Sequence, residues 1–427
     1  MARIPRHGRG DQTLKMLSQG YEFITRGCER LGTDVFETSL LFEPTICMRG
    51  EAAAELFSDE QRFTREGAAP TRLKRTLFGD GGVQGMDGET HRERKAIFMG
   101  LMTPERLTAL RDDFVARWLE RTSDWEGEDQ IVLHDQAGRL LTESVYAWAG
   151  LPLETNEVAT HLMAHRGMIV GAPGVGHRYV WGRAGRRWME AWVADQVSRV
   201  REGQFAAAEG SALQAFAGAE SLDTGAAAVE IINVLRPTIA ADRYVTFVGL
   251  ALHQHPQWRS VIAQADDATV RAFVQEVRRT TPFFPFTAAR VRENFTWQGL
   301  EFREGQRVLL DLFATNLDAR IWPDPTRFMP ERHLHGEPSP YALIPQGAGD
   351  HHQGHRCAGE WLTVDVMQAA ARLIAGAMAY HVPDQDLSIG RGRIPALPRT
   401  GLVMTDVRRV TQPVQPSSAS EAEVAAN

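Results

Sequence analysis

The sequence predicts a mainly helical protein with a small β region, organised as one large domain. Three observations carry that expectation. Apolar residues recur at three- and four-residue spacing over long segments, whereas strand-type patterns are few and short. Composition stays mixed from about Thr13 to Val407, with no Gly/Ser run, repeat or charge block to mark a linker. The domain is therefore expected over 11–409. The small, polar, proline-containing stretch over 410–427 is expected to be a disordered tail.

Each element has its own signal. Thr103 to Trp118 opens with Thr103 as a cap, Pro104 at the first helical position and Glu105 in the first turn; Leu107, Leu110, Phe114 and Trp118 then share one face. Ala226 to His253 is apolar on nearly every face, which predicts a buried helix crossing about 40 Å at ~1.5 Å per residue. Val270 to Thr280 is a shorter helix. Phe295–Trp297 and Arg307–Leu310 read as strands around turns at Gly299 and Gly305. An apolar-periodic helix is expected from about Trp361 to Tyr380.

Charge and cysteine content narrow the class. The 427 residues carry 47 Lys+Arg and 54 Asp+Glu, a net charge of −7, with no basic run. That argues against non-specific binding to nucleic acid or an anionic membrane, which needs clustered cations. Cys28, Cys47 and Cys357 are too few and too scattered for a disulfide scaffold, so a reducing cytoplasm is the expected compartment. No stretch reaches the ~20 apolar residues of a membrane span, and the polar N-terminus lacks a signal-peptide core.

Two costly residues interrupt the buried helix. Pro237 removes a backbone donor, at ~3 kcal/mol, and Arg236 needs an anion in apolar surroundings. The pair fits a kink with a structural salt bridge, and equally an arginine aimed at a pocket to hold a carboxylate in a bidentate fork. Glu276 and Arg279, at i and i+3, can pair on one helix face. Downstream, a polar Gly-rich loop from Pro345 ends in His355-Arg356-Cys357-Ala-Gly359 before the last helix. A helix N-terminus and Arg356 favour the Cys357 thiolate, and Gly359 lets a flat ligand approach the backbone. The loop has three readings: a cysteine of no special role, a zinc site from His351, His352, His355 and Cys357, or a haem on one axial thiolate.

In combination these motifs resemble the cytochrome P-450 superfamily. Glu276-x-x-Arg279, Pro330-Glu-Arg332 and Gly-His-Arg-Cys357-Ala-Gly occur in that family's order and approximate spacing, and the likeness runs from about Asp11 to Arg409. The resemblance implies a triangular, mostly helical fold, haem b with Cys357 as its axial metal ligand, and Glu276, Arg279 and Arg332 as a structural clamp. Two departures narrow it. Arg236-Pro237 stands where oxygen-activating members carry an acid followed by threonine, and Asp350 stands where a phenylalanine is usual. With GGVQGMDGETHRERK and NVLRPTIA, these departures resemble the bacterial fatty-acid peroxygenase branch, whose members hydroxylate long-chain fatty acids with hydrogen peroxide.

That branch implies hydroxylation at the α or β carbon, with no obligatory redox partner. Arg236 and Pro237 would take the place of the acid–threonine pair, the substrate carboxylate on Arg236 serving as general acid–base. Gln84 would favour hydroxylation over decarboxylation, because an amide has no titratable proton to deliver. Leu77, Phe78, Val170 and Phe283 would line the acyl channel. Arg65, His91, Lys95 and Arg356 would meet the haem propionates, with His91 and Lys95 sharing a helix face at i and i+4. The alternatives are an oxygen-dependent haem-thiolate monooxygenase served by a ferredoxin or another redox partner, and, further off, a non-catalytic haem protein.

Overall fold

The computed structural model describes residues 3–390 and 392–410, so all of the 410–427 segment except Val410 lies outside it. Helices dominate and the β structure is small, in three sheets of six, three and two strands. The largest runs in the order Arg6–Asp11, Val35–Leu40, Glu43–Met48, Arg307–Asp311, Phe286–Val291, Phe63–Thr64. Arg307–Asp311 is at its centre, parallel to Glu43–Met48 with Ile46 opposite Val308, and antiparallel to Phe286–Val291 with Ala288 opposite Leu309. All five of its residues are buried, and the three between Arg307 and Asp311 are apolar, as a strand covered on both faces requires. The small hairpin Phe295–Trp297 to Leu300–Phe302 turns through Gln298 and Gly299, both at positive φ, and this left-handed pair matches the twist of the strands.

The helix opened by Thr103 runs further than its periodicity suggested, over Pro104–Trp125. The cause is that Leu110, Phe114, Trp118, Thr122 and Trp125 continue one buried face past the expected end. The Thr103 side chain accepts from the Arg106 N–H, and Pro104 opens the helix, as expected.

The long buried helix is divided in two, Thr224–Ala240 and Asp242–Gln254. Pro237 has no N–H for the carbonyl four residues back, and the ladder tightens after it: the Ala241 N–H donates to Thr238, three residues back, at 3.1 Å. The first half starts at Asp223, whose carboxylate caps the Ala226 N–H at 2.7 Å.

The last helix is shorter than expected, Glu360–Arg372, followed by a widened turn over Leu373–Ala377. Tyr380, expected in that helix, lies instead in the strand Met378–His381, which pairs with Val403–Arg409. The apolar pattern could not separate buried helix from buried strand, and the partner strand decides between them.

One core gathers around the divided helix. Leu235, Ile239, Val245 and Val248 pack there with Leu141 and Val145 from the Leu133–Ala149 helix and Val366 and Met367 from the last helix. A second core lies under the large sheet. No helix among the described residues is long and apolar enough to cross a membrane.

Candidate active site

Arg236 sits on the Thr224–Ala240 helix, 7% exposed, and forms no ion pair or hydrogen bond with any described residue. Its guanidinium stands over the Phe78 ring at 5.9 Å. Burial, and then the neighbouring Arg186, push its pKa down to about 9, while Cys357 lies within charge range and opposes part of that fall. Arg186 is the contrasting case. It is fully buried, paired with Glu190 at 2.6 Å, and donates to the Leu77 and Phe78 carbonyls at 3.2 Å.

Those two carbonyls belong to the widened turn Lys74–Phe78, which brings Leu77 and Phe78 beside Arg236. Gly79 ends the turn at φ +83°, and a Cβ there would lie 2.2 Å from Arg186 Nη2, so only glycine lets the two segments meet. Asn233, one turn before Arg236, donates to the Phe78 carbonyl at 2.9 Å and to Gln84 Oε1 at 3.3 Å. Since the Gln84 oxygen is occupied, its amide N–H groups face away from Asn233. Glu230 underlies this network, fully buried, accepting from Asn233, from Arg94 at 2.7 Å and from the Val83 N–H at 2.9 Å. Glu230 and Asn233 were not anticipated, although two polar residues on an otherwise apolar helix, spaced three apart and three before Arg236, were a legible signal.

Cys357 precedes the last helix. Its N–H donates to the Gln346 carbonyl at 3.1 Å, and the Gln346 side-chain amide reaches the sulfur. Burial pushes the thiol above its ordinary value, with Lys95, the Gly359 N–H and Gln346 pulling the other way. The helix end and Arg356 therefore do not by themselves secure a thiolate. A metal cation on the sulfur would. A Cβ on Gly359 would meet nothing within 4 Å, so a flat ring can come up to the backbone beside Cys357.

The zinc reading of this loop does not survive the geometry. Among the described residues the ligand atoms close enough to share an ion are those of Glu60, His91 and His355, a group without Cys357, His351 or His352. Arg65 and Lys95 both lie within charge range of His91, with His91 and Lys95 on the Gly88–Leu101 helix and both buried. His355 joins them, its ring 4.0 Å from that of His91. Arg356 is placed differently. It pairs with Glu360 at 2.5 Å, which also pairs with the buried Arg278 at 2.5 Å, because the first turn of the last helix puts that carboxylate within its reach. Burial, then the neighbouring His355 and Lys95, pushes His91 down to about 3; burial takes His355 down to about 4 although Asp87 pulls the other way, and takes Arg65 down to about 10. Two cations and two neutral imidazoles, all able to donate N–H groups, suit a ring bearing two carboxylates. The residues present thus fit haem: a sulfur ligand, an open backbone face and a rim of N–H donors.

Glu276 and Arg279 are fully buried and joined by two hydrogen bonds, 2.7 and 2.8 Å. Arg332 approaches Glu276 at 3.3 Å, and His333, absent from the sequence reading, completes the cluster at 2.9 Å. Arg279 also ties the carbonyls of Asn316 and Pro325. Of the channel residues, Leu77 is buried and Phe78 and Val170 are half-buried, the Val158–Gly171 helix packing on the Lys74–Phe78 turn. Phe283 is half-buried and stacked on Tyr244 at 4.4 Å.

The family model for cytochrome P450 matches residues 268–370, the stretch that holds the Glu276 cluster and Cys357. The structure superposes on a variant of cytochrome P450SP alpha (CYP152B1) with a TM-score of 0.91 and 45% identity, covering 94% of this chain and all of that one. The chain is a cytochrome P450. Two further P450 structures extend the likeness to the same group. Cytochrome P450EX alpha (CYP152N1), solved with myristic acid, gives 0.93 at 40% identity, and cytochrome P450 OleT, in a variant solved with arachidonic acid, gives 0.94 at 34%; each is covered completely, over 96% of this chain. Curated relatives match over less. Dimethylnonatriene synthase of Arabidopsis thaliana is 33% identical over 136 residues, only 26% of that protein's length.

Proposed function

We propose that this P450 hydroxylates long-chain fatty acids with hydrogen peroxide, at the α or β carbon, and that 11–409 is its single catalytic domain. One observation carries the reading: Arg236 is a buried guanidinium with no anion of its own, beside Phe78 and within charge range of Cys357. The fatty acids held by the P450EX alpha and OleT structures supply the class of anion. Cys357 would hold haem b, with Arg65, His91, Lys95 and His355 at its rim, and the bound group would supply the oxidising chemistry for C–H hydroxylation by peroxide.

This chain's residues do the rest. Arg236 receives the carboxylate, and an oxygen of that carboxylate takes a proton from one peroxide oxygen and returns it to the other, as general base and then general acid. Peroxide brings both oxidising equivalents, so no electron-transfer partner is needed. Holding the carboxylate also sets the position of attack: only the first chain carbons come within reach, and α and β differ by about 1.5 Å, one C–C bond. Pro237 takes no part in proton transfer. Gln84, held by Asn233, offers neutral N–H donors and no titratable proton, which favours hydroxyl transfer over loss of the carboxylate. A cytoplasmic location accords with three free thiols, two of them buried.

The test is product analysis after purified holoenzyme is mixed with a long-chain fatty acid and peroxide alone. The expected products are 2-hydroxy and 3-hydroxy acids. Turnover only with oxygen, a reductase and a ferredoxin would replace this reading with the monooxygenase one.

A further inference from the structure

The segment from Thr281 to Pro285 runs irregularly between the end of the Asp267–Thr280 helix and the start of the Phe286–Val291 strand. Backbone bonds hold its two ends: the Thr281 N–H donates to the Val277 carbonyl at 3.0 Å, and the Pro285 carbonyl accepts from the Leu312 N–H at 3.0 Å. Phe283 stands at the middle. Its N–H reaches back to the Thr281 carbonyl at 3.0 Å, a bond between near neighbours that bends the segment without anchoring it. The anchor is on its carbonyl, which accepts at 2.6 Å from the hydroxyl of Tyr21, 262 positions earlier in the chain.

The same hydroxyl accepts from the Ala396 N–H at 3.2 Å. Tyr21 is buried and Ala396 fully so, and burial pushes the phenol above its ordinary pKa, so it keeps the proton that it donates to Phe283. One phenol thus ties together three segments remote in sequence. Its ring is held less firmly than its hydroxyl. The ring meets Phe313 edge-on at 5.5 Å, and beside the pair opens a cleft of about 290 Å³ that Thr25, Arg49 and Leu317 also line. With room there for the ring to shift, the two hydrogen bonds fix its place.

What the hydroxyl holds is the backbone that carries the Phe283 ring. That ring packs on the main core and stacks on Tyr244, itself fully buried and within charge range of Cys357. Half-buried so deep in the molecule, it has the position of a wall of the proposed site. The α and β carbons of a tethered acid differ by about 1.5 Å, so a wall residue displaced by a fraction of that distance alters which of them is presented. We propose that Tyr21 is a positioning residue for this hydroxylation: by holding the Phe283 carbonyl against Ala396, its hydroxyl fixes the ring that chooses between the α and β carbons. The positioning rests on the function proposed above, whereas the clamp stands on the hydrogen bonds alone.

Tyr21→Phe removes the hydroxyl and leaves the ring. In peroxide-driven reactions of the holoenzyme with a long-chain fatty acid, the ratio of 2-hydroxy to 3-hydroxy product should move by about threefold or more, well inside the roughly hundredfold that a 1 Å misplacement can cost. Turnover summed over both products should stay within about twofold, because Arg236 and Cys357 are untouched. Phe283→Leu should shift the ratio by itself, and adding Tyr21→Phe to it should shift the ratio no further. A tyrosine that only stabilises the fold would lower the melting temperature and leave the ratio unchanged; that result, or an equal shift with and without the Phe283 ring, would overturn the proposal. If Tyr21→Phe does not fold, Phe313→Leu, which loosens the same ring, should move the ratio in the direction that Phe283→Leu does, and an unmoved ratio would count as refutation. Hydrogen exchange reads the clamp apart from the chemistry. The Ala396 amide, its acceptor gone, should exchange about fivefold faster in Tyr21→Phe, and an unchanged rate would remove the clamp. A protein that shows the faster exchange but oxidises no fatty acid with peroxide would defeat the function, and the positioning with it, while leaving the clamp in place.

Discussion

Replacing Arg236 by methionine is expected to make the free enzyme more stable and useless. The guanidinium is buried without an anion, and that burial, with Arg186 beside it, lowers its pKa from 12.5 to about 9. A gap of that size corresponds to about 5 kcal/mol as an upper bound. Since 7% of the residue still meets solvent and water can follow it inside, about 2 kcal/mol is the recoverable part. Methionine fills similar volume with no charge to bury. At 2–4 °C per kcal/mol the free protein should melt about 4 °C higher. Fatty acid should raise the melting temperature of the wild type, whose arginine then gains its partner, and leave that of the variant unmoved. Peroxide-driven turnover should fall by about 10³ or more, as expected when a buried charge pair worth about 4 kcal/mol is lost together with the carboxylate that moves the proton. The assay is thermal unfolding with and without fatty acid, followed by turnover on the same samples. A variant that melts lower than wild type without ligand would show that Arg236 already has an anionic partner. One that hydroxylates fatty acid at near-normal rate would show that a protein group supplies the proton.

Other outcomes follow from the same geometry. Cys357→His should lose both activity and the red-shifted Soret band of the reduced, carbon monoxide-bound protein, and retention of both would remove the thiolate assignment. Burial alone would raise the Glu276 carboxyl, but hydrogen bonds from Arg279 and His333 override it and hold the group at about 2, against an ordinary 4.5. The folded pKa is the lower one, so this stabilisation, about 3 kcal/mol, is complete above the unfolded value and is lost as pH falls from about 5 to 2. Denaturant midpoints of wild type and Glu276→Gln should therefore differ widely at pH 7 and converge toward pH 2; parallel curves would contradict the clamp. Gln84→His should raise the proportion of terminal alkene by placing a titratable group where Asn233 holds an amide, and gas chromatography showing an unchanged product ratio would remove Gln84 from the choice of outcome. In the wild type, acetate occupying the Arg236 site should permit peroxide oxidation of a substrate without a carboxylate, and Arg236→Met should not respond to acetate.

Much was legible in the sequence because it rests on local chemistry. Helix starts at Thr103–Pro104, the i and i+3 pairing of Glu276 with Arg279, the left-handed turn at Gly299 and the cysteine loop before a helix all depend on residues within a few positions of one another. Arg236 could be singled out for a related reason: a charged residue beside a proline on an apolar helix is anomalous whatever surrounds it. What the sequence left undecided depends on contacts across the chain. Whether the segment after Arg372 stays helical was settled by the strand Val403–Arg409, and whether Arg236 is paired could be answered only once Arg186 was seen with Glu190 and Arg236 with no anion. The rim of donors around His91 shows the same limit. His355 rather than Arg356 turned to His91, because Glu360, one helical turn beyond Arg356, holds that arginine by charge. Tertiary structure chooses among charges that sequence can only enumerate, since electrostatic partners are selected by distance in space and burial decides how strongly each is felt.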